Sequence, residues 1–198
     1  MDAITALITG FGLAAPAGLN AWLCLFLVGL LAKLANLITL SPPFDTLTNE
    51  WVLVGLGVLA TVEFFADKIA AVDTIVDVIN TVIRPLAGGV LFTAGALSEG
   101  GLDPTLSFVL GMLSAGGVHT VKATARPLIT TTTGGLGNPI VSAAEDFIAL
   151  VATVLALVFA PLAACLMGAF LLGAGYGIWR LREWRRRRRL AREINSEQ

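Results

Sequence analysis

The chain has 198 residues, of which 56% are hydrophobic and only 14% charged, and its mean hydropathy is +0.84; an ordinary soluble domain is about 25% charged. So little polar surface cannot cover a water-soluble fold of this length, and the composition points to an all-α membrane protein. The formal charge of −1 conceals a division: Arg180 to Gln198 holds eight arginines and three glutamates, whereas everything before it holds five basic and eleven acidic residues.

Apolar segments near residues 5–36, 51–69, 85–99, 105–124, 140–160 and 161–180 predict about six transmembrane helices, in a single membrane domain over residues 1–179 with a basic tail over 180–198. Only Asp2 precedes the first run, which therefore lacks the basic start of a cleaved signal peptide and is expected to stay as a span. That segment is too long for a straight crossing. Ala15-Pro16-Ala17-Gly18 is expected to break it, because proline removes a backbone donor.

The next elements carry charge. Glu63 and Asp67 stand four residues apart, hence on one helical face, with Lys68 directly after. The same face continues through Asp73, Asp77, Asn80 and Arg84, while Ile75, Ile79 and Val82 lie opposite. A helix from Trp51 to Arg84 would be about 50 Å long at 1.5 Å per residue, so a bend is expected near Ala70 to Asp73, with Asp73 capping the second piece. Two readings of this stripe stand open: an interfacial helix whose carboxylates face water, or a helix lining a polar cavity, since carboxylates at membrane depth usually face a pathway or a partner. Arg84-Pro85 then opens a short apolar run to Leu97, interrupted by Gly88, Gly89 and Gly95, of the kind in which transporters place their sites.

His119, Lys122 and Arg126 follow at spacings of three and four, again on one face, and Pro127 is expected to end or kink their helix. His119, the only histidine, suits a proton relay by its ordinary range of titration; a histidine hydrogen-bonded to a neighbouring helix is the plainer alternative. Thr130 to Asn138, with four threonines and three glycines, reads as a connector or as a re-entrant ion-contacting loop. Glu145 and Asp146 open the last apolar run, where Ser142 and Glu145 fit a capping box, or where one carboxylate pairs with Lys122 or Arg126. Pro161 is the expected hinge between the last two spans. The arginines after it place the tail in the cytoplasm, where they meet anionic lipid; a topology anchor is favoured over nucleic-acid binding. Cys24 and Cys165 lie in apolar surroundings, so no disulfide or cysteine metal site is expected, and no cofactor, while metal binding by other residues stays open.

Three short echoes recur in order: Ala17 to Ala21 with Gly116 to Thr120, Val62 to Phe65 with Ala144 to Phe147, and Pro85 to Ala87 with Pro161 to Ala163. If they mark halves at 1–100 and 101–179, three spans per half make an inverted repeat with two broken first helices. Asn20 and His119 would then line a site from opposite sides. The echoes are also compatible with chance in alanine- and glycine-rich sequence.

The Glu63-Phe64-Phe65-Ala66-Asp67-Lys68-Ile69 block, Asp73, Ile83-Arg84-Pro85, Lys122 to Pro127, Gly137-Asn138-Pro139 and Ala17 to Ala21 resemble the bacterial domain-of-unknown-function 4126 family over roughly residues 8–165. The resemblance implies a multi-span protein of the bacterial inner membrane and supplies no activity. The residues themselves favour a small transporter or channel for an ion or small solute, with proton participation, in contact with lipid and admitting a homodimer. Its pathway would be Asn20, Glu63, Asp67, Lys68, Asp73, Asp77, Arg84, His119, Lys122, Arg126, Glu145 and Asp146. An intramembrane lipid-modifying enzyme and a non-transporting scaffold are the alternatives, the former without a nucleophile, zinc or diphosphate-binding motif.

Overall fold

The computed structural model describes residues 3–68 and 70–196. It comprises α1 (Ala3–Ala17), α2 (Ala21–Ala35), a 3₁₀ turn at Phe44–Thr48, α3 (Glu50–Ala66), α4 (Ala70–Ser98), α5 (Pro104–Thr133) and α6 (Asn138–Ser196), with no strand among the described residues. Ile75–Ser98, Pro104–Thr133 and Asn138–Ala160 are long and apolar enough to cross a membrane.

α1 and α2 are also apolar, but each has 15 residues. At 1.5 Å per residue that is about 22 Å, short of the roughly 30 Å of a hydrocarbon core. Their outer ends meet: Thr5 and Thr9 of α1 line the same recess as Leu37, Ile38 and Thr39 beyond α2. The chain therefore turns back at Gly18-Leu19-Asn20 and forms a hairpin of two short helices, so the segment over residues 5–36 is broken as expected, just after Pro16. Asn20 makes the turn: its backbone is extended (φ −147°, ψ 103°), and its side-chain oxygen accepts from the Leu23 amide at 3.0 Å, capping α2. Gly18 lets this tip press on α5, since a Cβ there would stand 2.6 Å from Val118 Cβ.

The recess also takes in Ser98 and Glu99 at the end of α4 and Ala156 to Ala160 of α6. One side of the molecule thus gathers the open end of the hairpin, the end of α4 and the Ala160 end of the α6 span. The turn at Asp67 and Lys68 and the connection from Thr133 to Asn138 lie towards the other. α1 is wedged among α4, α5 and α6, and α2 packs on α3, the 3₁₀ turn and α6. The glycines of α4 serve packing, contrary to the expectation that they break a site helix. A Cβ on Gly88 would fall 2.6 Å from the Gly111 carbonyl oxygen, so α4 and α5 meet backbone to backbone in the small-residue manner of membrane helices.

The polarity is inverted relative to a soluble protein. Trp51, Val58, Phe65, Val78, Leu113, Ile140 and Phe147 are more than half exposed, while Asp67, Arg84, Lys122 and Arg126 are buried. Such a surface is stable only in an apolar solvent, and the composition agrees.

Several local expectations are corrected. The bend between α3 and α4 falls at Asp67 and Lys68, earlier than Ala70 to Asp73, and α4 starts without Asp73 as its cap. α4 runs through Pro85 and α5 through Pro127, as helices with an internal proline do inside membrane bundles. α5 is also unbroken at Gly116-Gly117, so no second broken helix opposes the first. Thr130 to Thr133 belong to α5, each hydroxyl donating to the carbonyl four residues back. Only Gly134 to Gly137 connect to α6, which begins at Asn138-Pro139 with proline in the first turn, where its missing donor costs nothing. Ser142 is buried one turn further in and does not cap. The hinge appears at Phe159 (φ −152°, ψ 77°), two residues before Pro161. The side chains of Asp73, Pro161 and most tail arginines lie outside the described residues.

Candidate functional site

The charged faces of α3, α4, α5 and α6 turn inward and meet at the tip of the hairpin. On α4, Asn80 and Arg84 are buried and the apolar Val78, Ile79 and Val82 face out, so the stripe points away from the solvent an interfacial helix would seek. Measured along the helices, Arg84, His119 and Asp146 each lie about 21 Å from the recess end of α4, α5 and the α6 span. Arg126 and Glu145 lie about 10 Å from the other end of α5 and α6 by the same measure.

Asp67 is the hub. Its Oδ2 is 2.8 Å from Lys122 Nζ, 3.7 Å from Arg126 Nη2 and 3.8 Å from Arg84 Nη2. Lys122 also reaches Glu145 Oε2 at 3.3 Å and donates to the Leu19 carbonyl at 3.1 Å. That carbonyl is available because the hairpin turn interrupts the helical ladder. Arg126 pairs with Glu145 Oε2 at 2.7 Å and donates to the Asp67 carbonyl at 3.3 Å. Arg84 donates to Glu63 Oε1 at 2.9 Å and pairs with Asp77 at 3.4 Å; Asn80 donates to the same Glu63 oxygen at 2.7 Å. At the tip, Asn20 Nδ2 donates to Asp146 Oδ1 at 2.9 Å. Lys68 sits at the rim, over the Phe64 ring, and reaches Asp146 Oδ2 at 3.6 Å.

His119 occupies a specific state. Arg84 Nη1 lies 2.9 Å from its Nδ1, and a guanidinium only donates, so Nδ1 accepts and the ring is neutral. Its Nε2 hydrogen then points to Thr81 Oγ1 at 3.2 Å, whose own hydrogen goes to the Asp77 carbonyl at 2.9 Å. A proton can reach Nδ1 only after Arg84 withdraws. Asn20 bonds to Asp146 and His119 to Arg84 and Thr81, so each joins the network through different partners.

Within this network five carboxylates (Glu63, Asp67, Asp77, Glu145 and Asp146) face four permanent cations (Lys68, Arg84, Lys122 and Arg126), a surplus of one negative charge. Glu63 Oε2, Asp67 Oδ1 and Asp146 Oδ2 are buried oxygens that accept no hydrogen bond. Asp146 is the least compensated carboxylate, since its one cation is the partly exposed Lys68. No group of three or more metal-binding side chains converges among the described residues. Sequence reasoning collected nearly the whole network. The Leu19 carbonyl and Thr81 have no signal in the side-chain pattern, and Asn80 is legible only as a neutral member of the charged stripe.

Fold and site together define a helical membrane protein with an ion-pair network buried at the tip of a helical hairpin. The chain belongs to the family described as a domain of unknown function, DUF4126, which matches residues 7–180. No curated protein and no solved structure matches it.

Proposed function

We propose that the protein is a small transporter or channel that carries a proton or a monovalent cation through the buried network, seated in a bacterial cytoplasmic membrane with the arginine tail at the cytoplasmic face. The surplus carboxylate carries this reading. A net charge held away from water is costly, and one proton or one monovalent cation cancels it. Asp146 is the acceptor we assign, because Asn20 holds one of its oxygens at the mouth of α2, where the positive end of the helix dipole favours the charged form between loads. Half-helices meeting a polar centre are also a recurrent way of building transport sites. Asn20 and Asp146 meet where α1 and α6 pack on each other through Ala17, Ala149, Ala152 and Ala156.

The test is purified protein in liposomes with an entrapped pH dye and imposed proton, sodium or potassium gradients. Wild type should dissipate at least one gradient and Asp146→Asn none, with the variant still folded. Absence of any flux in wild type under all gradients refutes the proposal. A second reading has its own observation: every base in the network has at least one carboxylate within 4 Å, as a packing lock requires. In that case charge-neutral replacement of Asp67 and Lys122 together changes no flux, because there is none.

A further inference from the structure

Away from the network, the recess at the open end of the hairpin has a lining that the proposed transport chemistry does not use. It is an open depression of about 380 Å³, within the roughly 300–1,000 Å³ of small-molecule sites. Its polar groups are Glu99 and the hydroxyls of Thr5, Thr9, Thr39 and Ser98, and no basic residue lines it. Ser98 spends its hydrogen on the Gly95 carbonyl at 2.7 Å, which leaves its oxygen as an acceptor. Leu157, also in the lining, has a carbonyl that Pro161, four residues on, has no N–H to serve. The remaining wall is apolar, and Phe159, displaced from helical geometry by the kink, is 58% exposed there.

We propose that this recess binds a monovalent organic ammonium ion, with the ammonium on Glu99 and the neighbouring oxygens and the alkyl part against the apolar wall and Phe159. One carboxylate matches one positive charge. A divalent metal would need six to eight hard oxygens with several charges, and a bare alkali ion gains nothing from half of the lining. Aromatic faces add attraction for organic cations. The site stands apart from the network by about 20 Å along α1, so it does not depend on the transport reading.

The probe is n-butylammonium chloride, with 1-butanol as its neutral counterpart and sodium chloride at equal ionic strength, followed by saturation-transfer NMR on the full chain in detergent. Butylammonium should saturate and butanol and sodium should not compete with it. Glu99→Gln should weaken binding at least tenfold, whereas Asp67→Asn should leave it unchanged. Val158→Trp, at a 64% exposed position on the rim, should block it without touching the charge, and serves as the independent variant if Glu99→Gln fails to fold. Equal binding of butanol, competition by sodium, or undiminished binding in both variants overturns the proposal.

Discussion

Replacing Asp67 by asparagine tests whether this carboxylate is the hub of the bundle. The side chain keeps its size and an acceptor oxygen but loses the charge on which three bases converge. Arg84 retains Glu63 at 2.9 Å and Arg126 retains Glu145 at 2.7 Å, so the loss falls mainly on Lys122, left with Glu145 at 3.3 Å and the Leu19 carbonyl at 3.1 Å. Breaking one side of a buried pair costs about 3–5 kcal/mol; the surviving partners set the expectation at the lower end, about 3 kcal/mol. Lys122→Met should cost about as much by the same logic. The double variant Asp67→Leu/Lys122→Met removes both charges, keeps the network surplus at one, and should recover to within about 1 kcal/mol of wild type, since apolar replacement of a whole buried pair is often neutral. Reversible unfolding in mixed micelles, titrated with dodecyl sulfate, measures all four proteins. If Asp67→Asn unfolds with wild type, or if the double variant is as unstable as the two single losses summed, the hub assignment is wrong. Flux then separates function from packing: a refolded double variant with no transport supports the pathway.

The remaining expectations follow from single contacts. Asn20→Ala removes the α2 cap, about 1 kcal/mol, and the donor to buried Asp146 Oδ1, about 1–3 kcal/mol, and should show in the same titration. Asp146→Asn should be tolerated in stability, because it brings four carboxylates against four bases, while abolishing flux. Gly111→Leu should prevent the α4–α5 approach and lower the yield of monodisperse protein; normal yield would contradict the backbone contact. Glu50→Gln removes the exposed pair with Lys33 at 2.9 Å and should not move the unfolding midpoint, since exposed pairs are screened by water and salt. If the hairpin enters and leaves the membrane on one side, single cysteines at Ile4 and Leu37, in a Cys24→Ser/Cys165→Ser background, should be labelled by an impermeant thiol reagent from the same side of sealed vesicles; labelling from opposite sides refutes that placement.

Composition and helical spacing by themselves determined membrane residence, the helical class and the membership of the network. The reasons are local. Hydrophobicity is additive along the chain, and spacings of three and four bring Glu63 to Asp67, and His119 to Lys122 and Arg126, onto single faces whatever else the fold does. The break before Asn20 was legible for the same reason, in Ala15-Pro16-Ala17-Gly18. The fate of the prolines was not: Pro85 and Pro127 stay inside helices, as proline does where a membrane bundle surrounds it, and sequence spacing carries no record of such neighbours. The direction of the Asp77 to Arg84 stripe was equally open, since an amphipathic helix has a polar face whether that face meets water or other charges. Tertiary packing decided it, by supplying His119 and Glu63 as partners inside. It also decided that the first segment turns back, because a break fixes where a helix ends but not the angle at which the next one leaves.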